Sequence, residues 1–173
     1  MNNSDFPLDD ANSKSLIQVN HKAVMPNGTP DTDMIKKLKK EFTSELQNIN
    51  RWWTKNTVDE TCGGFFGEVS ARGNVVKNAS KGVVLNTRIL WYFSEVAIVI
   101  ADDNSRTMAD RAYHYLLDFF DDKDKGGMVW ELDHTGKVLD AKKQTYAQSF
   151  SIYALSSYYK LTGNKEAIDK ALE

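Results

Sequence analysis

One cation in this 173-residue chain stands where few are found. Arg88 lies in the middle of VVLNTRILWYFSEVAIVIA, residues 83–101, a run that is apolar on nearly every helical face. A guanidinium there is costly unless it pairs with an anion or faces a wet cavity. It reads as a structural ion pair, as an end facing solvent or as a functional cation. Asn86 sits half a helical turn away and reads as a helix-start residue or as a ligand contact. Histidine suits proton transfer near neutrality. His21 lies in a loose N-terminal stretch, His114 between Tyr113 and Tyr115, and His134 in a hairpin turn, and each is assigned a structural or solvated role. Glu68 and Glu131 could be imagined as a paired-carboxylate site. Trp52, Trp53, Trp91 and Trp130 could stack on flat ligands, but a core role is expected for most.

These residues need elements to hold them. Asp31 and Thr32 offer N-cap chemistry, and Ile35, Leu38, Phe42, Leu46, Ile49 and Trp53 recur at steps of three or four. The spacing predicts an amphipathic helix with one apolar stripe, running to about Lys55. Gly63–Val76 carries turn residues around short β-prone runs and predicts a small hairpin. Residues 83–101 contain no Gly or Pro and predict a helix buried all round. Ser105 to about Phe120 predicts a second amphipathic helix with Met108, Ala112, Tyr115, Leu116 and Phe119 on its inner face.

The pattern then recurs. Asp59-x-x-x-Gly63-Gly64 matches Asp122-x-x-x-Gly126-Gly127 at an offset of 63 residues (122 − 59). At that offset Glu68 meets Glu131, Val69 meets Leu132, Gly73 meets Gly136 and Val75 meets Val138. The equivalence of Glu68 and Glu131 favours a structural role over a catalytic pair. The second copy leads into QTYAQSFSIYALSSYYKLTG, an apolar helix that Gly163 can cap, and Asn164 begins another helix. Helix, Gly-Gly hairpin and helix, repeated, describe a helical-hairpin array in which each unit covers its neighbour's apolar face.

Composition narrows the classes. The chain is 41% hydrophobic and 27% charged with a net charge of −2, which reads as soluble and globular. Lys and Arg are spread among Asp and Glu, so no nucleic-acid partner is expected. MNNSDFPLDD lacks a basic start and an apolar run, and the longest apolar stretch noted, Val96–Ala101, is short for a membrane span, so no signal peptide and no membrane contact are expected. The single cysteine, Cys62, fits a cytoplasmic address. Residues 1–30, rich in Asn, Asp and Ser, read as a disordered or loosely packed extension, and 31–173 as the folded domain. No P-loop or metal-ligand spacing is present, so no metal and no cofactor are expected.

Several stretches resemble the N-acylglucosamine 2-epimerase family, in particular its disaccharide branch. They are Asp59-Glu60-x-x-Gly63-Gly64-Phe65-Phe66-Gly67-Glu68, Lys81-Gly82-Val83-Val84-Leu85-Asn86-Thr87-Arg88-Ile89-Leu90-Trp91, Gly126-Gly127-Met128-Val129-Trp130 and Lys143-Gln144-Thr145-Tyr146-Ala147-Gln148-Ser149-Phe150. The resemblance implies an all-α fold, an (α/α)6 toroid of helical hairpins with small β-hairpins on its loops. About half a ring is expected here, truncated at the C-terminus. It implies a sugar epimerase acting at the reducing end of β-1,4-linked disaccharides. Arg88 would then be catalytic, and Tyr146 and Asn86 would contact a small-molecule sugar. The family's catalytic histidines come from later helices, beyond Glu173. An open ring implies self-association or pairing with a complementary C-terminal half. The other readings are a non-catalytic helical carbohydrate- or protein-binding module, an N-acylglucosamine 2-epimerase and a glycoside hydrolase on the same toroid.

Overall fold

A computed structural model describes residue 25 and residues 27–173. The expected loose extension and His21 therefore lie almost entirely outside the described residues. The chain divides into two compact units, one ending at Leu46 and the other spanning Gln47–Glu173.

The first helix, α1, runs Thr32–Asn56. Asp31 caps it by accepting the Met34 N–H at 2.9 Å, as the N-cap signal predicts. Its stripe is not a buried face, however. Ile35, Phe42 and Ile49 are exposed, Phe42 to 69%, and Asn50 is the buried residue of the helix. An apolar stripe is buried only where another element covers it, and periodicity alone does not report the cover.

In the larger unit β1 (Lys81–Gly82) leads directly into α2 (Val83–Ile100). The helix α3 (Asp103–Tyr115) follows and passes into a π-helical turn, Leu116–Phe120. Next come β2 (Glu131–Leu132), β3 (Val138–Asp140), α4 (Thr145–Thr162) and α5 (Lys165–Leu172). The helix expected over Ser105–Phe120 thus changes pitch, with the Asp121 N–H reaching back to the Leu116 carbonyl. The wider turn shifts the phase of the pattern. Leu117 and Phe120 turn into the core, Phe119 is exposed and Met108 is only half-buried.

The hairpin expected over Gly63–Val76 forms only isolated bridges, Val58 with Phe65 and Val69 with Val75. Its second copy does better. There β2 pairs antiparallel with both β3 and β1, giving a three-stranded sheet. A two-stranded ribbon is marginal alone, and the third strand supports the second hairpin rather than the first.

The core lies where α2 packs on α3 and α4, and α4 on α5. Leu90 and Phe93, Tyr113 and Leu116, and Leu155 fill it, with Phe65 and Leu132 added from the loops. By length and apolar composition α2 would also pass for a membrane span, longer than the Val96–Ala101 run. Half of it is buried inside the protein, as in a core helix. It is not buried all round, because Arg88 and Val99 are exposed.

The internal repeat extends to individual hydrogen bonds. Asp59 N–H donates to the Gly64 carbonyl and Asp122 N–H to that of Gly127. Phe66 donates to Thr57, as Val129 does to Phe120. In the hairpins Gly73 donates to Ser70 and Gly136 to Asp133. The offset is 63 up to the hairpins and 62 afterwards (143 − 81), one residue being lost before α4. At 62, Ala101 and Gly163 both end inner-type helices in the left-handed conformation, with φ of 50° and 72°. Asp102 and Asn164 then cap the helices that follow.

Candidate functional site

The side chain of Arg88 is presented by α2, whose register is set at its start. Asn86, 4% exposed, donates from Nδ2 to the Gly82 carbonyl at 2.9 Å. Thr87 donates its hydroxyl to Val83 and Val84. Both are thereby held within the helix, and Arg88 points outward. It lies on a cavity of about 490 Å³ walled by Trp53, Val84, Leu85, Trp91 and Tyr92. No ion pair with a described carboxylate is formed by Arg88, so its charge is available to a ligand. An aromatic, apolar wall with one cation suits an organic ligand bearing oxygens.

Tyr146 stands in the first turn of α4, 61% exposed, its ring edge-on to Phe150 at 4.9 Å. It does not line the Arg88 cavity. Tyr146, Phe150 and Tyr153 fall at i, i+4 and i+7, on one face of α4. Tyr153 stacks on Trp91 of the cavity wall, with ring centroids 5.5 Å apart. The aromatic face of α4 thus meets the wall that flanks Arg88. Asn86 is set apart from both, its amide occupied by the helix start.

The repeat separates structural positions from the rest. At the 62-residue offset Asn86 corresponds to Gln148, and both are amides bound to backbone. Gln148 brackets Met128, donating to its carbonyl and accepting its N–H. Trp91 corresponds to Tyr153, aromatic in both copies. Arg88 corresponds to Phe150 and Tyr146 to Val84, so these two side chains are not required by the repeat.

The remaining candidate residues lie elsewhere. His114 is exposed on α3 and His134 sits in the second hairpin turn. Glu131 accepts the Ser80 hydroxyl, while Glu68 is exposed. Of the tryptophans, Trp52 is exposed, while Trp53, Trp91 and Trp130 are half-buried and packed against the core, as expected for most of them. The sequence did not point to Tyr92 or to the Lys81–Asp59 pair, and it did not place Trp53 at a cavity. Tyr92 and Trp53 wall the cavity; the Tyr92 hydroxyl is buried without a hydrogen-bond partner, and burial pushes its pKa up. Lys81 is 1% exposed and pairs with Asp59 at 2.8 Å. Lysines placed just ahead of both apolar helices were the available signal for that pair. Among the described residues no group of three His, Cys, Asp or Glu side chains converges on one point.

Helix, Gly-Gly turn and helix in two copies, with an arginine on a cavity, define a repeat-built, mostly helical protein. The family model for N-acylglucosamine 2-epimerase (GlcNAc 2-epimerase) matches residues 64–173. The chain belongs to that family. It is 40% identical over 132 residues to the cellobiose 2-epimerase of Bacteroides fragilis, covering 76% of this chain and 34% of that protein. The crystal structure of a sugar epimerase from a ruminal bacterium superposes with a TM-score of 0.71 at 38% identity, over 76% of this chain and 35% of that one. Cellobiose 2-epimerase from Bacillus thermoamylovorans also gives 0.71, at 34% identity over 77% and 35%. The chain therefore spans about a third of the length of these relatives, less than the half ring expected from the resemblance.

Proposed function

We propose that this chain forms the arginine-bearing part of a disaccharide 2-epimerase built as an (α/α)6 ring. The reaction interconverts glucose and mannose at the reducing end of a β-1,4-linked disaccharide such as cellobiose. The observation that carries the reading is Arg88, a guanidinium on a cavity wall that pairs with no described carboxylate, at a position where the second copy has Phe150.

Ring opening of the sugar exposes its aldehyde. Removing the C2 proton then gives a cis-enediolate, and returning a proton to the opposite face inverts C2. The guanidinium of Arg88 neutralises the enediolate oxygens as their charge develops. Tyr146 orients the sugar from the neighbouring helix. Asn86 serves the site by fixing the start of α2. The proton-transferring groups come from the remaining helices of the ring; the two histidines among the described residues, His114 and His134, both lie away from the Arg88 cavity. A cytoplasmic setting suits the lone Cys62.

The test is an NMR assay of cellobiose in heavy water with this chain combined with the C-terminal two thirds of the Bacteroides fragilis enzyme. Glucosyl-mannose carrying deuterium at C2 supports the reading. A pair that associates but leaves C2 unlabelled refutes it.

A further inference from the structure

The two outer-type helices α3 and α5 begin with side-chain caps, Asp102 and Asn164. The helices that carry Arg88 and Tyr146 do not: neither Gly82 nor Gln144 supplies a capping side chain. The Asn86 amide holds the start of α2 from within the helix, but a tie to the preceding turn must come from elsewhere in both copies.

In both copies a lysine just ahead of the helix reaches back to the aspartate of the Gly-Gly turn. Lys81 Nζ lies 2.8 Å from Asp59 Oδ2, and Lys143 Nζ lies 2.6 Å from Asp122 Oδ2. Each aspartate is itself fixed, because its Oδ1 accepts two turn N–H groups: Thr61 and Cys62 in the first copy, Asp124 and Lys125 in the second. Lys81 gains a further bond to the Gly63 carbonyl at 2.8 Å.

We infer that the Lys81–Asp59 and Lys143–Asp122 pairs are positioning devices, each tying the start of one helix to a rigid turn and so aiming Arg88 and Tyr146 respectively. What those two side chains do rests on the epimerase reading; where they point does not. The pairs differ in exposure. The first is sealed, whereas the lysine and aspartate side chains of the second are 29% and 19% exposed. The wetter pair can be cut with little effect on global stability, which makes it the cleaner probe.

The experiment uses the full chain with 13C-labelled tyrosine rings, the Tyr146 signal being assigned by Tyr146→Phe. Lys143→Met should move the Tyr146 ring resonance and speed amide exchange over residues 144–148 by roughly two- to fivefold. The start of α2 and the thermal midpoint should stay near those of the parent, and Lys143→Arg should restore both signals. Lys81→Met would strand a buried carboxylate, so the neutral double variant Asp59→Asn/Lys81→Met serves the first copy. It should move the Arg88 side-chain signals and leave Tyr146 in place. Unmoved Tyr146 and unchanged first-turn exchange in Lys143→Met, or faster exchange in all helices together, would overturn the inference. Cellobiose is added in a separate arm. In that arm the chain is combined with the C-terminal two thirds of the Bacteroides fragilis enzyme; an associated pair silent to cellobiose counts against the epimerase reading, while the positioning result stands on the apo spectra.

Discussion

Arg88 of α2 and Phe150 of α4 hold the same register in consecutive copies of one repeat, 62 residues apart (150 − 88), yet one is a cation and the other a ring. The surrounding chemistry is kept: Asn86 and Gln148 are both amides bound to backbone, and Trp91 and Tyr153 are both aromatic and stacked on each other. A side chain that breaks the repeat while facing a cavity is held there by something other than the fold.

Replacing Arg88 by Ala should therefore leave folding intact and abolish function selectively. In the two-part enzyme, turnover of cellobiose should fall by about a hundred- to a thousandfold, the loss typical of one oxyanion-stabilising donor. The thermal midpoint of the chain should hardly move, because the side chain is exposed. Phe150→Ala is the contrast, expected to cost packing rather than turnover. Steady-state rates and thermal melts on the same samples decide the matter.

The turn glycines are not interchangeable. Gly64 has a φ of 61°, and a Cβ there would lie 2.6 Å from the Tyr115 ring, while Gly126, with φ of 71°, has nothing within 4 Å. Gly126→Ala should cost about 1 kcal/mol for the left-handed backbone alone. Gly64→Ala should cost roughly 1–3 kcal/mol more, because the buried ring has to move. Chemical denaturation of the two variants gives the difference directly.

At the end of α2 the chain uses Ala101 at a φ of 50°, where the second copy uses Gly163. An alanine in that conformation carries a steric cost that glycine avoids. Ala101→Gly should stabilise the protein by about 0.5–1 kcal/mol, even after the extra unfolded-state entropy of glycine. A lower denaturation midpoint for the variant would contradict this account of the cap.

The sealed Lys81–Asp59 pair makes acid stability predictable. Burial by itself would raise the Asp59 pKa, but the Lys81 ammonium and the N–H groups of Cys62 and Thr61 outweigh it and hold the carboxyl below its ordinary 3.8. A depressed folded-state value contributes stability that is present above pH 3.8 and is lost as pH falls through the lower folded value. Melts between pH 5 and pH 2 (about the acid-loss window) should show the parent losing stability more steeply than Asp59→Asn/Lys81→Met. Lys81→Met alone should cost about 3–5 kcal/mol at neutral pH, because it leaves a charge buried without a partner.

Exposed apolar side chains on α4, including Tyr146, Ile152 and Tyr153, add to Val99 of α2. Surfaces of this kind seldom stay bare. Sedimentation velocity of the chain alone should show association that grows with concentration and is displaced when the C-terminal two thirds of a relative is added. A single monomeric boundary at every concentration would count against a face built to be covered.

Element identity was legible in the residues because it depends on local spacing. The caps at Asp31 and Gly163, the apolar run of α2 and the doubled Asp-x-x-x-Gly-Gly turn all act within a few residues of where they are written. The lysines ahead of α2 and α4 were equally visible, but nothing local says that each reaches back some 20 residues to an aspartate. Which face of a helix is covered was also beyond local reading: the stripe of α1 has the periodicity of a buried face yet leaves Phe42 exposed. The π-helical turn after Tyr115, and with it the exchange of Phe119 for Phe120 in the core, leaves no mark in the apolar spacing. The sequence by itself determined the helices, their turns and the presence of a cation inside an apolar run. Only the tertiary structure decided that Arg88 meets a cavity, because that outcome depends on which distant surfaces come to lie beside it.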